Sequence, residues 1–158
     1  MKIGCYVEHW KNKQITKQFF EFFQAGDVDS MFSLLAEDAV WWVLGKSDQF
    51  LSCGSKDVET IKSAIGDVFF ADIMSKGITF SIKSLTAEDN RVSAEVDGYG
   101  ITNAGVVYDQ NYHFLIEFEN GKIKRLKEFL DTIHAREAFE GIPGTHPTLI
   151  KYCAPGKC

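Results

Sequence analysis

The chain has 158 residues, of which 45% are hydrophobic, 25% charged and 13% aromatic; this is the composition of an ordinary globular domain, in a length too short for two. Lysine and arginine number 17 against 22 aspartates and glutamates, a formal charge of −5, which leaves no basic footprint for nucleic acid or an anionic membrane surface. No apolar run approaches the roughly 18 residues of a membrane span. The N-terminal stretch MKIGCYVEHWKNK is charged throughout and lacks a signal-peptide core, so a cytoplasmic protein is expected.

Residues 1–12 read as a polar leader, 13–140 as one domain, and 141–158 as an irregular tail that holds all three prolines. Within the domain, Ile15, Phe19, Phe22 and Phe23 share one face of a helix predicted over 13–25. Gly26 ends it with a left-handed turn. Asp27 is placed to cap a second helix, whose Val28, Met31, Phe32 and Leu35 again form a stripe. Residues 39–44, AVWWVL, read as a buried strand, followed by a polar Gly/Ser stretch to Ser55. Val58, Ile61, Ile65, Val68, Phe69 and Ile73 keep the helical period over about five turns, with Gly77 at the expected C-cap. The period then becomes two, over 78–86, 91–101, 106–119 and 122–130, with turn residues between the segments. Asp131 and Thr132 cap a last short helix through Phe139. The expected fold is α+β, a curved antiparallel sheet that wraps around N-terminal helices and leaves an interior pocket at its wide end.

Cys5, Cys53, Cys153 and Cys158 form no CxxC pair, and His9, His113, His134 and His146 have no ligand spacing with one another or with a cysteine. Free thiols, no metal and no cofactor are therefore expected.

Several strings in this order carry a family resemblance: the helical hairpin AGDVDSMFSLLAEDAVWW, the strands VSAEVDGYG and YDQNYHFLIEFENGKI, and EFLDT before a helix. Over about residues 15–139 the chain resembles the SnoaL-like branch of the superfamily that includes nuclear transport factor two, ketosteroid isomerase and limonene epoxide hydrolase. The resemblance implies a cone-shaped domain with an interior pocket, often dimeric. It does not imply one reaction, because this fold carries isomerases, cyclases, hydrolases and binding domains.

Period two puts Glu95, Asp97 and Tyr99 on one face of segment 91–101, and Val92, Ala94 and Val96 on the other. In one reading the acids face water and the valines pack inward. In the other the acidic face lines the pocket and the valine row, with Leu115, is covered by a second copy, giving a homodimer through the outer sheet face. Resemblance to the epoxide-hydrolase branch favours the second. It also implies an acid at Glu128, hence a carboxylate pair, Asp97 with Glu128, of which one member holds a proton and the other is ionised. Glu95 stands where that branch has an arginine, which weighs against epoxide hydrolysis.

Against ketosteroid isomerase, Phe19 replaces the tyrosine donor seven residues before the Gly26-Asp27 turn, and Val43 or Leu44 replaces the strand aspartate. Tyr112 falls near its other oxyanion donor. Along 106–119, Tyr108, Gln110, Tyr112, Phe114, Ile116 and Phe118 share the inner face, and His113 faces outward. Trp41 and Trp42 point to opposite faces.

Asp97, Glu128, Glu95 and Tyr112 are thus the candidate catalytic residues, and Trp41, Tyr99, Tyr108, Phe19 and Phe114 the candidate ligand-binding ones. Two functions fit: an isomerase, cyclase or hydrolase acting on a hydrophobic small molecule, or a non-catalytic binding or dimerisation module.

Overall fold

The structure is a computed structural model that describes residues 3–46 and 52–139. Helix α1 spans Ile3–Ala25 and so starts well before the predicted Lys13, within the stretch read as a leader. Its buried residues include Phe19, Phe20 and Phe23 and, unusually, the polar Asn12 and Thr16. Thr16 satisfies itself by donating its hydroxyl to the Asn12 carbonyl, 2.9 Å away one turn back. Gly26 has φ +69°, and Asp27 accepts from the Ser30 N–H at the start of α2, Val28–Ser33, as expected.

Strand β1, Leu35–Val43, begins earlier than the aromatic string indicated, and the polar stretch behind it contains a short strand, β2, Gly54–Asp57. Asp57 caps α3, Val58–Ser63, by accepting from Thr60 N–H at 2.8 Å. The apolar period then widens: Ala64–Ile73 is π-helical, and the Met74 N–H reaches back five residues to Phe69 O. The wider turn lets Phe69 and Phe70, adjacent in sequence, both pack on Phe23, with ring centroids 5.8 and 5.7 Å away.

Strands β3 (Ile78–Glu88), β4 (Arg91–Ile101), β5 (Val107–Glu119) and β6 (Lys122–Phe129) lie close to their predicted bounds, followed by helix α4, Thr132–Phe139. The β5–β6 hairpin turns on Asn120 and Gly121, both at positive φ, the pair that matches the twist of its strands. The sheet order is β2-β1-β6-β5-β4-β3, curved and unclosed. The expected α+β fold with a curved sheet around helices is present; β1 and β6 pair in parallel, so the sheet is mixed and not wholly antiparallel. Helix α1 fills its concave side, where Phe20 packs on Phe114 and Phe80 at 5.1 and 5.4 Å.

Because helices cover only that side, each strand turns its apolar row toward them. Val92, Ala94 and Val96 are fully buried in this core, opposite Ile116, Phe114 and Tyr112. They are not an outer patch waiting for a second copy, and the premise for a dimer through that row falls. The tail from residue 141, with His146, Cys153 and Cys158, lies outside the described residues. Among the described residues no helix is long and apolar enough to cross a membrane.

Candidate functional site

The same parity decides which acids reach the interior. Glu95 and Tyr99 are exposed on the outer face of β4, with Glu95 accepting from the Ser84 hydroxyl at 3.2 Å. Asp97 also lies on that face. Lys83 sits 2.9 Å from its carboxylate and Asn111 donates to it at 2.8 Å, and the hydrogen bond from Lys83, more than that from Asn111, holds the carboxyl below its usual range. The expected Asp97–Glu128 pair therefore does not form: the two acids are on opposite faces of the sheet. A strand backed by helices on one side turns its valines inward and its acids to water.

Glu128 does point inward. Parallel pairing sets Trp41 beside Leu126 and Val43 beside Glu128, and the Trp41 indole N–H donates to Glu128 Oε2 at 2.8 Å. No other described residue donates to this carboxyl. Burial pushes it up to about 7, against the lowering effect of the indole hydrogen bond. It is thus the one acid of the described interior, poised to exchange a proton near neutrality.

The aromatic row of β5 supplies its surroundings. Tyr108 and Tyr112, four residues apart on one face, bring their hydroxyls within 2.7 Å of each other. Both are buried, and burial raises both above the usual phenol range, helped by the nearby Glu128 charge. They are therefore neutral donors and not bases.

Gln110, 1% exposed, lies between them on the same row. Its amide is clamped by the turn after β6: Asp131 N–H donates to Gln110 Oε1, and Gln110 Nε2 donates to Asp131 O, each at 3.0 Å. The same Nε2 faces the Tyr108 hydroxyl at 3.5 Å. On the far side of Tyr108, the His134 ring of α4 stacks with an interplanar angle of 4° and accepts from Asp109 N–H. α4 is itself held by Asp131, which accepts from the Ile133 and His134 N–H groups.

Of the candidate ligand contacts, Trp41 and Tyr108 border this group, as does the candidate catalytic Tyr112, whereas Phe19 is core, packed on Phe20, Phe23 and Trp41. Phe114 lies deeper, between Tyr112 and Phe20. Tyr99 is 50% exposed on the other face. Gln110 and His134 went unread as site residues; the signal for Gln110 was a lone amide in an otherwise aromatic row, while nothing local tied His134 to Tyr108. His113 faces outward as its parity required, next to Ser93 and Phe129. Cys53 is buried and donates to Leu44 O, and burial raises its thiol. Among the described residues no cluster of three or more His, Cys, Asp or Glu side chains is placed to hold a metal.

Comparison with curated protein sequences finds no match. Among solved structures, a putative isomerase from Bacillus subtilis is 25% identical and superposes with a TM-score of 0.72 over 85% of this chain and 96% of that one. An LEH-like epoxide hydrolase from M. tuberculosis is 14% identical, with a TM-score of 0.67 over 83% of this chain and 90% of its own. TerC, co-crystallised with polyporic acid, is 17% identical, with a TM-score of 0.69 over 81% and 97% of the two chains. A model described as the SnoaL-like domain matches residues 16–126, more than half of the sequence, and the chain belongs to that family.

Proposed function

We propose that the protein is a small-molecule isomerase or cyclase that moves a proton with Glu128, assisted by a tyrosine hydroxyl. The observation that carries this reading is one interior carboxyl raised to about 7 beside a pair of neutral phenols. A single group near neutrality suits a reaction in which the same carboxylate removes a proton from carbon and returns it elsewhere. On removal, the C–H electron pair moves onto an adjacent carbonyl oxygen, where a phenol hydrogen bond stabilises the enolate. Epoxide opening instead calls for an acid and a base at separate points, and the second acid it needs, Asp97, is on the outer face. The aromatic surroundings favour a largely apolar, hydrophobic substrate.

The test is hydrogen exchange. A panel of cyclic ketones incubated with the protein in D2O should acquire deuterium next to the carbonyl, at a rate that rises with pH through an apparent pKa near 7. Glu128→Gln should slow it by about 10²-fold or more. Ketones that bind without exchanging, or that exchange equally with the variant, would instead identify a non-catalytic binding module.

A further inference from the structure

Trp41 is 3% exposed, and its indole N–H can only donate. The direction of its bond to Glu128 Oε2 is therefore fixed by chemistry, whatever the charge on the carboxyl. The ring that carries this donor is held from the α1 side, where Phe19 packs on it with centroids 5.6 Å apart and Phe23 meets it edge-on at 6.4 Å. Both phenylalanines are buried. The donor is thus set by β1 and α1, and the acid by β6, with parallel pairing placing Trp41 beside Leu126 and Glu128 two residues further along the same face. Oε1, the other carboxyl oxygen, has no donor among the described residues. In a neutral carboxyl the carbonyl oxygen is the better acceptor, so the indole keeps the carbonyl at Oε2 and the proton at Oε1. In the ionised form the same bond is charge-assisted and stronger.

We propose that Trp41 is a positioning residue for Glu128: its indole N–H holds the carboxyl by Oε2 and leaves Oε1 as the oxygen that gives and takes a proton. Expected as a ligand contact, Trp41 serves instead to aim the acid. The use of Oε1 rests on the proton-transfer reading: the proton passes from carbon to Oε1 while the C–H electron pair goes to the substrate's carbonyl oxygen, and it returns from Oε1 to a carbon. The groups around the carboxyl do not change charge with it. Burial, with the Glu128 charge adding to it, raises Tyr108 and Tyr112 of β5 above the usual phenol range, and raises the Cys53 thiol against the lowering effect of Lys56. Lys56 of β2 turns its ammonium to Cys53 O, Asp131 accepts from the first N–H groups of α4, and His134 stacks on Tyr108.

The first test needs no substrate. The indole N–H resonance of Trp41, followed by NMR, should shift with pH through an apparent pKa near 7 and should not shift over the same range in Glu128→Gln. A resonance that stays fixed in the wild-type protein, or one that still titrates in Glu128→Gln and so reports His134, would overturn the hold of Trp41 on the acid. The second test is Trp41→Phe, which keeps an aromatic ring for Phe19 and Phe23 and removes the donor. Its deuterium exchange of cyclic ketones should show an apparent pKa higher by about one pH unit, because the lost bond favoured the ionised form. The limiting rate should fall about three- to tenfold, since a carboxylate free to turn is less often aimed at the C–H bond, with KM changed by less than about threefold. A lower rate with an unmoved pKa would make Trp41 a packing residue only and overturn the proposal. If that variant does not fold, the indole titration decides alone. An indole that titrates in a protein that exchanges no ketone would overturn the proton-transfer reading and not the hold of Trp41 on Glu128.

Discussion

Glu128 takes up a proton on folding that it does not hold in the unfolded chain at the same pH, and this fixes the sign of its effect on stability. Its ordinary value is 4.5 and burial raises it to about 7 in the fold. Between those values the native state binds more protons, so stability falls as pH rises through that window. The shift corresponds to on the order of 3 kcal/mol at most, reduced because the residue is only half-buried. Glu128→Gln, which cannot ionise, should therefore flatten the curve. Urea unfolding is expected to find the variant more stable than wild type at pH 8 by about 1–3 kcal/mol, with the difference shrinking as pH falls and gone by about pH 4. A gap that is the same at both pH values would mean that the carboxyl titrates normally in the fold. The proposed proton transfer would give such a group its use: a carboxyl matched to neutral pH exchanges protons in both directions, at a cost in stability.

At the scale of elements, Gly98 of β4 makes the room that the Tyr112 ring occupies. Gly98 faces inward, and a Cβ there would lie 2.8 Å from Tyr112 Cε2, closer than real Cβ atoms approach, and a tight 3.3 Å from Ile78 Cδ1. Gly98→Ala should cost about 1–3 kcal/mol by overpacking and, by displacing the Tyr112 ring, slow the deuterium exchange of the cyclic ketones. Gly121→Ala is the control. It meets no atom within 4 Å but is strained at φ +74°, so it should cost about 1 kcal/mol and leave the exchange rate alone. If thermal unfolding and the exchange assay show both variants losing stability but neither losing exchange, Gly98 does not shape the site.

The strands themselves were legible because period two and Gly/Asn turns are local signals, and the inner row of β5 followed from parity alone. The face of β4 was not decided by parity, which gives two rows without saying which is inside. The helices on one side settle it, and they placed Asp97 in water. The π-helical turn of Ala64–Ile73 and the Gln110–Asp131 clamp depend on contacts distant in sequence, with Phe23 and with the turn after β6, so no short-range pattern announces them.

Across the whole molecule, the parallel β1–β6 pair joins the helical N-terminal part to the β-meander, and the site exists only because of it. Trp41 and Glu128 are 87 positions apart in sequence, yet share a hydrogen bond. The same seam is held by Ile123 N–H to Leu34 O at 2.9 Å, by Leu44 N–H to Glu128 O at 2.8 Å, and by Lys124 paired with Asp38. Without β6, both β1 and β5 become open edges, and the buried faces of Trp41, Phe114 and Ile116 lose the Ile123 and Leu126 wall. Ile123 and Leu126 alone are worth about 3–6 kcal/mol, and with the lost pairing to both neighbouring strands this is comparable with the 5–15 kcal/mol by which a domain is typically stable. A chain ended after Asn120 should therefore show no cooperative thermal transition by circular dichroism, although every helix preceding the meander is intact in its sequence. The full chain should unfold in a single step and refold on a millisecond-to-second scale, since closing a sheet between its first and last long strands requires contacts far apart in sequence. A truncated chain that still melted cooperatively would show that β1 and the helices form a stable unit without β6, and that the meander's last strand serves the site and not the fold.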